Sequence, residues 1–176
     1  MKLKNLFVLV GPPASGKSTW VKEYALGAIG GFHASRDAVR FSLLKEGESY
    51  FSHEPQVYAG WIEQIKEAID SDEYNNIFAD ATNLSVKRRK ELFQAIDLPH
   101  RNAEVHIVMV IFYPSLSTCI ERNSGRSGYE KVPNSAIVNM YKAFEAPERD
   151  ELLPFGLNVV YDNIIIAEEE DINLYE

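Results

Sequence analysis

The chain is constrained most where its first apolar run ends. Leu6-Phe7-Val8-Leu9-Val10 leads directly into Gly11-Pro12-Pro13-Ala14-Ser15-Gly16-Lys17-Ser18-Thr19. That segment fits G-x-x-x-x-G-K-[ST], with Gly11, Gly16, Lys17 and Ser18 at the fixed places. A loop of this kind wraps a phosphate chain in backbone N–H groups, so it needs residues that turn sharply and let the backbone approach closely. The helix expected from Lys17 presents its free N–H groups and positive dipole end to the same anion. In that arrangement Lys17 reaches the β- and γ-phosphates and the Ser18 hydroxyl holds Mg²⁺, so ATP and Mg²⁺ are the expected ligands. The bland alternative is a glycine-rich turn with an exposed lysine. Ordinary residue frequencies make the four fixed positions coincide in well under about 1% of chains this long. The apolar run before the loop and the helical pattern after it (Trp20, Val21, Tyr24, Ala25) narrow it further.

Length and composition set the bounds. A chain of 176 residues, 45% apolar and 25% charged, can bury a core without disulfide or metal staples. It reads as one domain over 1–167, with an acidic tail over 168–176. A net charge of −8 argues against a general nucleic-acid coat, which must neutralise phosphates with Lys and Arg. The single cysteine, Cys119, cannot form an internal disulfide and reads as a small core residue in a reducing cytoplasm. Met1-Lys2-Leu3-Lys4 is basic, yet the run behind it is too short for a secretory signal, and no run approaches the roughly 20 residues of a membrane helix.

Taken in order, the pattern predicts a helix over 17–28 ending at Gly30-Gly31, then a short strand over 31–34 leading to Ser35-Arg36-Asp37. A parallel return places Asp37 at the same sheet edge as the phosphate loop, where open α/β sheets bind ligands. Asp37 is therefore either a chemical group or the N-cap of a helix over 38–45. Pro55 to Ile69 reads as a helix with Val57, Trp61, Ile65, Ala68 and Ile69 near one face, and Asn76 to Asp80 as a strand ending in a carboxylate. A terminal Asp of that kind can hold Mg²⁺ beside Ser18. A helix over 86–96 opens with Lys87-Arg88-Arg89-Lys90, four cations that oppose its dipole. They form either a solvated face or a patch for an anionic acceptor. Glu104 to Tyr113 is a buried parallel strand, followed by a helix over 115–122. The polar, glycine-punctuated segment 123–133 is a lid between two helices. Arg122 and Arg126 share a face if the first of these helices extends that far, and either they neutralise a transferring phosphoryl group or they make surface ion pairs. A helix over 134–144, with Asn134 as its cap, a strand over 158–161 and an edge segment over 163–167 complete an α/β fold. Its core is a P-loop-type parallel sheet flanked by helices.

Several of these segments together are similar to one family. Gly11 to Trp20, Ser35-Arg36-Asp37 with Arg40, Thr82-Asn83-Leu84 with Arg88-Arg89, and Arg122-Asn123-Ser124 with Arg126, Val132-Pro133 and Met140-Tyr141-Lys142 resemble the kinase domain of the phage polynucleotide kinases, in the same order. The resemblance covers roughly the first 145 residues. It implies transfer of the γ-phosphate of ATP to the 5′-hydroxyl of a DNA or RNA end. Lys17 and Ser18 would bind phosphates and Mg²⁺, and Asp37 would be the general base. Arg40 would contact the acceptor or position Asp37. Arg126, with Arg122 beside it, would clamp the transferred phosphate, and Thr82, Asn83 and Arg88 would lie on the acceptor side. Two departures stand out. The family carries a carboxylate directly before Thr-Asn-Leu, where this chain has Ala81, with Asp80 one residue earlier. On an extended strand that offset turns the side chain to the opposite face. The chain also lacks the D-x-D-x-T series of the phage enzymes' phosphatase domain, so phosphatase activity is not expected. Two other functions fit the same residues: a kinase for a sugar, nucleoside or cell-wall precursor, and a nucleotide-dependent binding protein without transfer.

Overall fold

The computed structural model describes residues 2–148, 151 and 165–166. Its centre is β1 (Lys2–Val10), which pairs in parallel with β4 (Ala103–Ile111) along its whole length, Lys2 opposite Ala103 and Val10 opposite Ile111. On its other side it pairs with β3 (Asn76–Asp80), from Asn5 opposite Asn76 to Val8 opposite Ala79. β2 (Phe32–Ser35) lies outside β3 with Ser35 opposite Asp80, and β5 (Ile165–Ile166) pairs in parallel with β4. The order is β2-β3-β1-β4-β5, all parallel. The chain leaves β1 toward one edge and later returns to its other side. Crevices of this topology form at the carboxyl ends of the strands. The strand expected over 158–161 lies outside the described residues.

Both faces of the sheet are covered, so its central strands read as near-continuous apolar runs. Leu6, Val8 and Val10 join Ile107 and Met109 in one core, under α4 (Glu54–Asp70) and α5 (Val86–Ile96). Val57, Trp61, Ile65, Ala68 and Ile69 of α4 are all buried there, as their helical spacing predicts. Leu9, Phe78, Val110 and Phe112 face the other way, onto Val21 and Ala25. Those two residues belong to the helix after the loop, which begins as α1 (Lys17–Trp20), widens into a π-helical turn (Val21–Ala25) and ends as α2 (Leu26–Ile29). Cys119, in α6 (Leu116–Ser124), is fully buried.

Two helix starts differ from the sequence expectation. α3 (Arg36–Leu43) begins earlier, because Ser35 Oγ accepts from the Ala38 N–H at 3.2 Å and is the cap. Asp37 lies inside the first turn and is not the cap. At α7 (Asn134–Lys142) the cap position is Pro133, and Asn134 Oδ1 instead accepts from Asn123 Nδ2 at 3.2 Å. The 86–96 boundaries of α5 match, with Ser85 as cap. The anion its dipole calls for is distant in sequence, since Glu145 Oε2 accepts from the Val86 N–H at 2.7 Å.

Among the described residues, one charge pair has both side chains fully buried. Arg89, fully buried, makes a two-pronged contact with Glu151 at 2.8 and 2.7 Å and donates to the Asn83 carbonyl at 2.9 Å. Removing one partner of such a pair strands the other charge in a low dielectric. Glu151→Ala should therefore cost about 3–5 kcal/mol of stability. The shift of the urea midpoint measures it, and a loss below about 1 kcal/mol, the scale of an exposed pair, would show that the pair is not holding the fold.

Candidate active site

The site forms where β1 ends. Phe112 N–H donates to the Val10 carbonyl at 2.7 Å, and Gly11 N–H to the Thr82 carbonyl at 2.9 Å, so the loop leaves the sheet clamped from both sides. A side chain cannot fit at Gly11, since a Cβ there would lie 2.4 Å from the Phe112 carbonyl oxygen. At Gly16 φ is +101°, a left-handed conformation that starts α1 and disfavours any residue with a Cβ. The loop curls around Lys17, which is buried and donates to the carbonyls of Gly11 (2.9 Å) and Pro12 (2.8 Å) and to Ser15 Oγ (3.3 Å). Loss of hydration brings its pKa down to about 8, against the opposing pull of Asp80 and then Asp37, while Arg126 lowers it further. Charges from three other segments thus act on Lys17.

Ser18 Oγ donates to Asp80 Oδ2 at 2.6 Å, and His33 Nε2 lies 2.8 Å from the same oxygen. The one-residue offset from the family pattern therefore does not turn Asp80 away, and the opposite-face expectation is corrected. Asp80 is the last residue of β3, beyond the final β1–β3 pair at Val8 and Ala79, and its carboxylate reaches across to α1. Burial works against its ionisation, but His33, Lys17 and Ser18 together hold its pKa below the ordinary carboxylate value. A hydroxyl beside an ionised carboxylate suits Mg²⁺, which takes few protein oxygens and keeps several waters. His33 is absent from the sequence reading, because only the β2–β3 pairing brings it to Asp80.

Just beyond the end of β2, Asp37 Oδ1 accepts from Arg40 Nη1 and from the Tyr50 hydroxyl, the latter at 2.7 Å. Arg40 is buried and also bonded to Glu54 Oε1, while Arg36 Nη2 donates to Glu54 Oε2 at 2.7 Å. Burial disfavours the Glu54 carboxylate, but the two arginines outweigh this and hold its pKa below the usual range. Arg88 is exposed, paired with Glu91 at 2.9 Å, and lines a cleft of about 570 Å³ with Arg36, Glu54 and Tyr58. Thr82 offers its carbonyl to Gly11. Asn83, buried with φ of +45°, donates its amide to the Leu9 carbonyl at 2.8 Å, so that amide is turned into the fold. The four cations that open α5 do not share one environment. Arg89 is interior, and Lys87 and Arg88 both lie beside Glu91.

Above the loop, α6 ends at Ser124, so Arg126 lies beyond the helix and does not share a helical face with Arg122. Arg122 Nη1 comes 3.8 Å from the position a Gly16 Cβ would take, and Arg126 Nη1 donates to the Glu130 carbonyl at 3.4 Å. Asn123, fully buried, holds both backbone groups of Val132 (2.7 and 3.0 Å) and so closes the segment at its base. At its tip, the Tyr129 hydroxyl reaches the carbonyls of Lys45 (3.3 Å) and Glu48 (3.1 Å).

A parallel sheet of this order, flanked by helices and ending its central strand in a phosphate-type loop, defines a P-loop kinase-like α/β protein. The chain belongs to the family described as AAA domain (AAA_33), which residues 6–147 match. That P-loop kinase family generally uses ATP and Mg²⁺. An L-seryl-tRNA(Sec) kinase of Methanococcus maripaludis is 28% identical over 148 residues, 81% of this chain and 53% of that protein, so the chain spans about half the length of that relative. A chain of the Pnkp1/Rnl/Hen1 RNA repair complex superposes with a TM-score of 0.63 at 21% identity, covering 81% of this chain and 44% of that one. A sugar kinase from Janibacter sp. HTCC2649 gives 0.57 at 18%, over 97% and 90%. At these identities the likeness to the solved structures is one of fold. Among the described residues, no helix is long and apolar enough to cross a membrane.

The lowered pKa of Lys17 gives a proton signature. A bound polyphosphate favours the ammonium form, so ATP binding at pH near 8 should take up a fraction of a proton, and at about pH 6.5, where Lys17 is already charged, almost none. Calorimetry in buffers of different ionisation enthalpy reads this directly. Buffer-independent heats at pH near 8 would show that Lys17 is fully charged before ATP arrives.

Proposed function

We propose that this chain is a kinase that moves the γ-phosphate of ATP to the 5′-hydroxyl of a DNA or RNA end, with Mg²⁺ as cofactor. The observation that carries the reading is Asp37, whose carboxylate is held by Arg40 at the same sheet edge as the buried Lys17 and close enough to act on its charge. The RD, TNL-x-x-x-RR and RNS-x-R segments favour a polynucleotide acceptor, and the fold likeness to the RNA repair complex agrees with it.

The chemistry follows from the parts. Pro12 and Pro13 carry no N–H and that of Gly11 is given to Thr82, so the backbone N–H groups over 14–19 cradle the phosphates, and Lys17 places its charge against the β- and γ-oxygens. Ser18 and Asp80 would hold Mg²⁺, with His33 behind Asp80, and that ion would supply charge neutralisation. Asp37 takes the proton of the acceptor hydroxyl as that oxygen forms its bond to the γ-phosphorus. The bond to the β-phosphate oxygen breaks and ADP leaves with the electron pair. Arg126, with Arg122 at Gly16, offsets the charge on the transferring group. Arg40 steadies Asp37, and Arg88, lining the cleft with Arg36, faces the acceptor's phosphates.

One observation favours a small-metabolite acceptor instead. The cations of α5 that suggested a nucleic-acid patch are largely paired within the protein, Arg89 with Glu151 and Arg88 with Glu91. Salt separates the two readings, because only an acceptor tracked through its phosphates loses affinity steeply as salt rises.

The direct test is transfer of γ-labelled phosphate to a panel of a 5′-hydroxyl oligonucleotide, its 5′-phosphorylated twin, nucleosides and sugars. Label on the 5′-hydroxyl oligonucleotide alone supports the proposal, and label only on a small molecule replaces the acceptor class. Asp37→Ala should lower kcat about 10²–10⁴-fold with ATP affinity near that of the unaltered chain, whereas Lys17→Ala should abolish both transfer and tight ATP binding. An Asp37→Ala enzyme of undiminished turnover would remove Asp37 from the mechanism.

A further inference from the structure

The ten residues between α3 and α4 include one side chain that no motif accounts for. Tyr50 lies 13 residues after Asp37, and its hydroxyl donates to Asp37 Oδ1 at 2.7 Å while accepting from Arg40 Nη1 at 2.8 Å. Arg40 Nη1 donates to the same Oδ1, so the three groups close a triangle. The Tyr50 ring lies under the Arg40 guanidinium, 4.2 Å from centroid to Cζ, and its edges meet Phe41 and Phe51 at 6.4 and 4.8 Å. These contacts fix the phenol in position and direction.

We infer that Tyr50 is a positioning residue for the general base, holding Asp37 through Oδ1 so that Oδ2 is presented to the acceptor hydroxyl. The inference rests on the proposed role of Asp37. Both protein donors to Asp37 fall on one oxygen, and among the described residues no donor reaches the other. A carboxylate on an exposed first turn, as Asp37 is at 57% side-chain exposure, otherwise rotates freely about its last torsion. Pinning one oxygen removes that freedom, and orientation of a reacting group is worth a large share of catalysis. Burial, together with the charge of Asp37, raises the Tyr50 pKa above its ordinary value, so the phenol stays protonated and remains a donor throughout the neutral range.

The loop is built to hold this donor. Glu48 Oε2 accepts from the Lys45 N–H and lies against His53 Nε2, both at 2.8 Å, which ties the loop across its width. Tyr129 grips the carbonyls of Lys45 and Glu48 from the segment that carries Arg126. Tyr50 is therefore set by contacts on both sides and does not depend on its own bond to Asp37 for its place.

The test is steady-state transfer to the acceptor found for the unaltered chain, with Tyr50→Phe, Asp37→Ala and the double variant. Tyr50→Phe keeps the ring under Arg40 and removes only the hydroxyl. It should lower kcat about 10- to 100-fold, the range for a lost hydrogen bond to a charged group, with the KM for ATP unchanged. In the Asp37→Ala background the same substitution should leave the residual rate unchanged, because the hydroxyl then has no carboxylate to hold. A purely structural role would lower both backgrounds alike and overturn the inference. So would a Tyr50→Phe enzyme of full kcat while Asp37→Ala is impaired, and that result spares the kinase proposal. An Asp37→Ala enzyme of full activity would remove Asp37 from the mechanism and overturn this inference while leaving transfer itself in place, whereas an unaltered chain that labels no acceptor would overturn the kinase proposal. A thermal melt of Tyr50→Phe within a degree or two of the unaltered chain shows that the fold is intact, and Tyr50→His, whose ring N–H can donate to the same oxygen, should recover part of kcat.

Discussion

A buried ammonium must be surrounded by oxygen, and the arrangement around Lys17 answers that need. Two carbonyls and a hydroxyl of its own loop accept its protons, and the carboxylates that offset its lost hydration come from elsewhere, Asp80 from the end of β3 and Asp37 from the first turn of α3. Neither lies near Lys17 in sequence. They meet it because β3 pairs directly with β1 and β2 with β3, with Ser35 level with Asp80. The sheet order and the electrostatics of one side chain are thus two descriptions of the same constraint. A slipped register at either pairing would leave the lysine underpaired in a low-dielectric site, at the cost a buried charge carries.

Much of this was legible in advance, for identifiable reasons. β1 and its loop announce themselves because both faces of a central parallel strand are apolar and because the loop's close passage by Phe112 admits only glycine at position 11. The face of α4 was readable from 3.6-residue spacing. The segment 76–80 was readable because an apolar strand ended in a carboxylate. In each case the signal is local, and the residues that explain the element are the element's own.

The misreadings share the opposite property. The direction of Asp80 was inferred from alternation along a strand, yet Asp80 is the strand's last residue and its reach is decided by Ser18 on another element. Adjacent arginines at 88 and 89 look equivalent in the sequence, and their fates diverge because a carboxylate 62 residues downstream lies beneath one of them. The dipole of α5 looked uncompensated because its anion, Glu145, arrives from 59 residues away. His33 and Tyr50 carried no signal at all. A histidine in a short strand and a tyrosine in a polar loop acquire meaning only through the neighbours that tertiary structure gives them, as the inward-turned amide of Asn83 does through Leu9.

The contact between Tyr129 and the loop after α3 is made to backbone oxygens. Every residue offers the same carbonyl, so the identities of the side chains at 45 and 48 do not enter this contact. A substitution at 45 or 48 leaves both acceptor oxygens of this tie in place, so the segment bearing Arg126 keeps its hold on the loop. Chemical adaptability and mechanical continuity are thereby assigned to different atoms of the same ten residues.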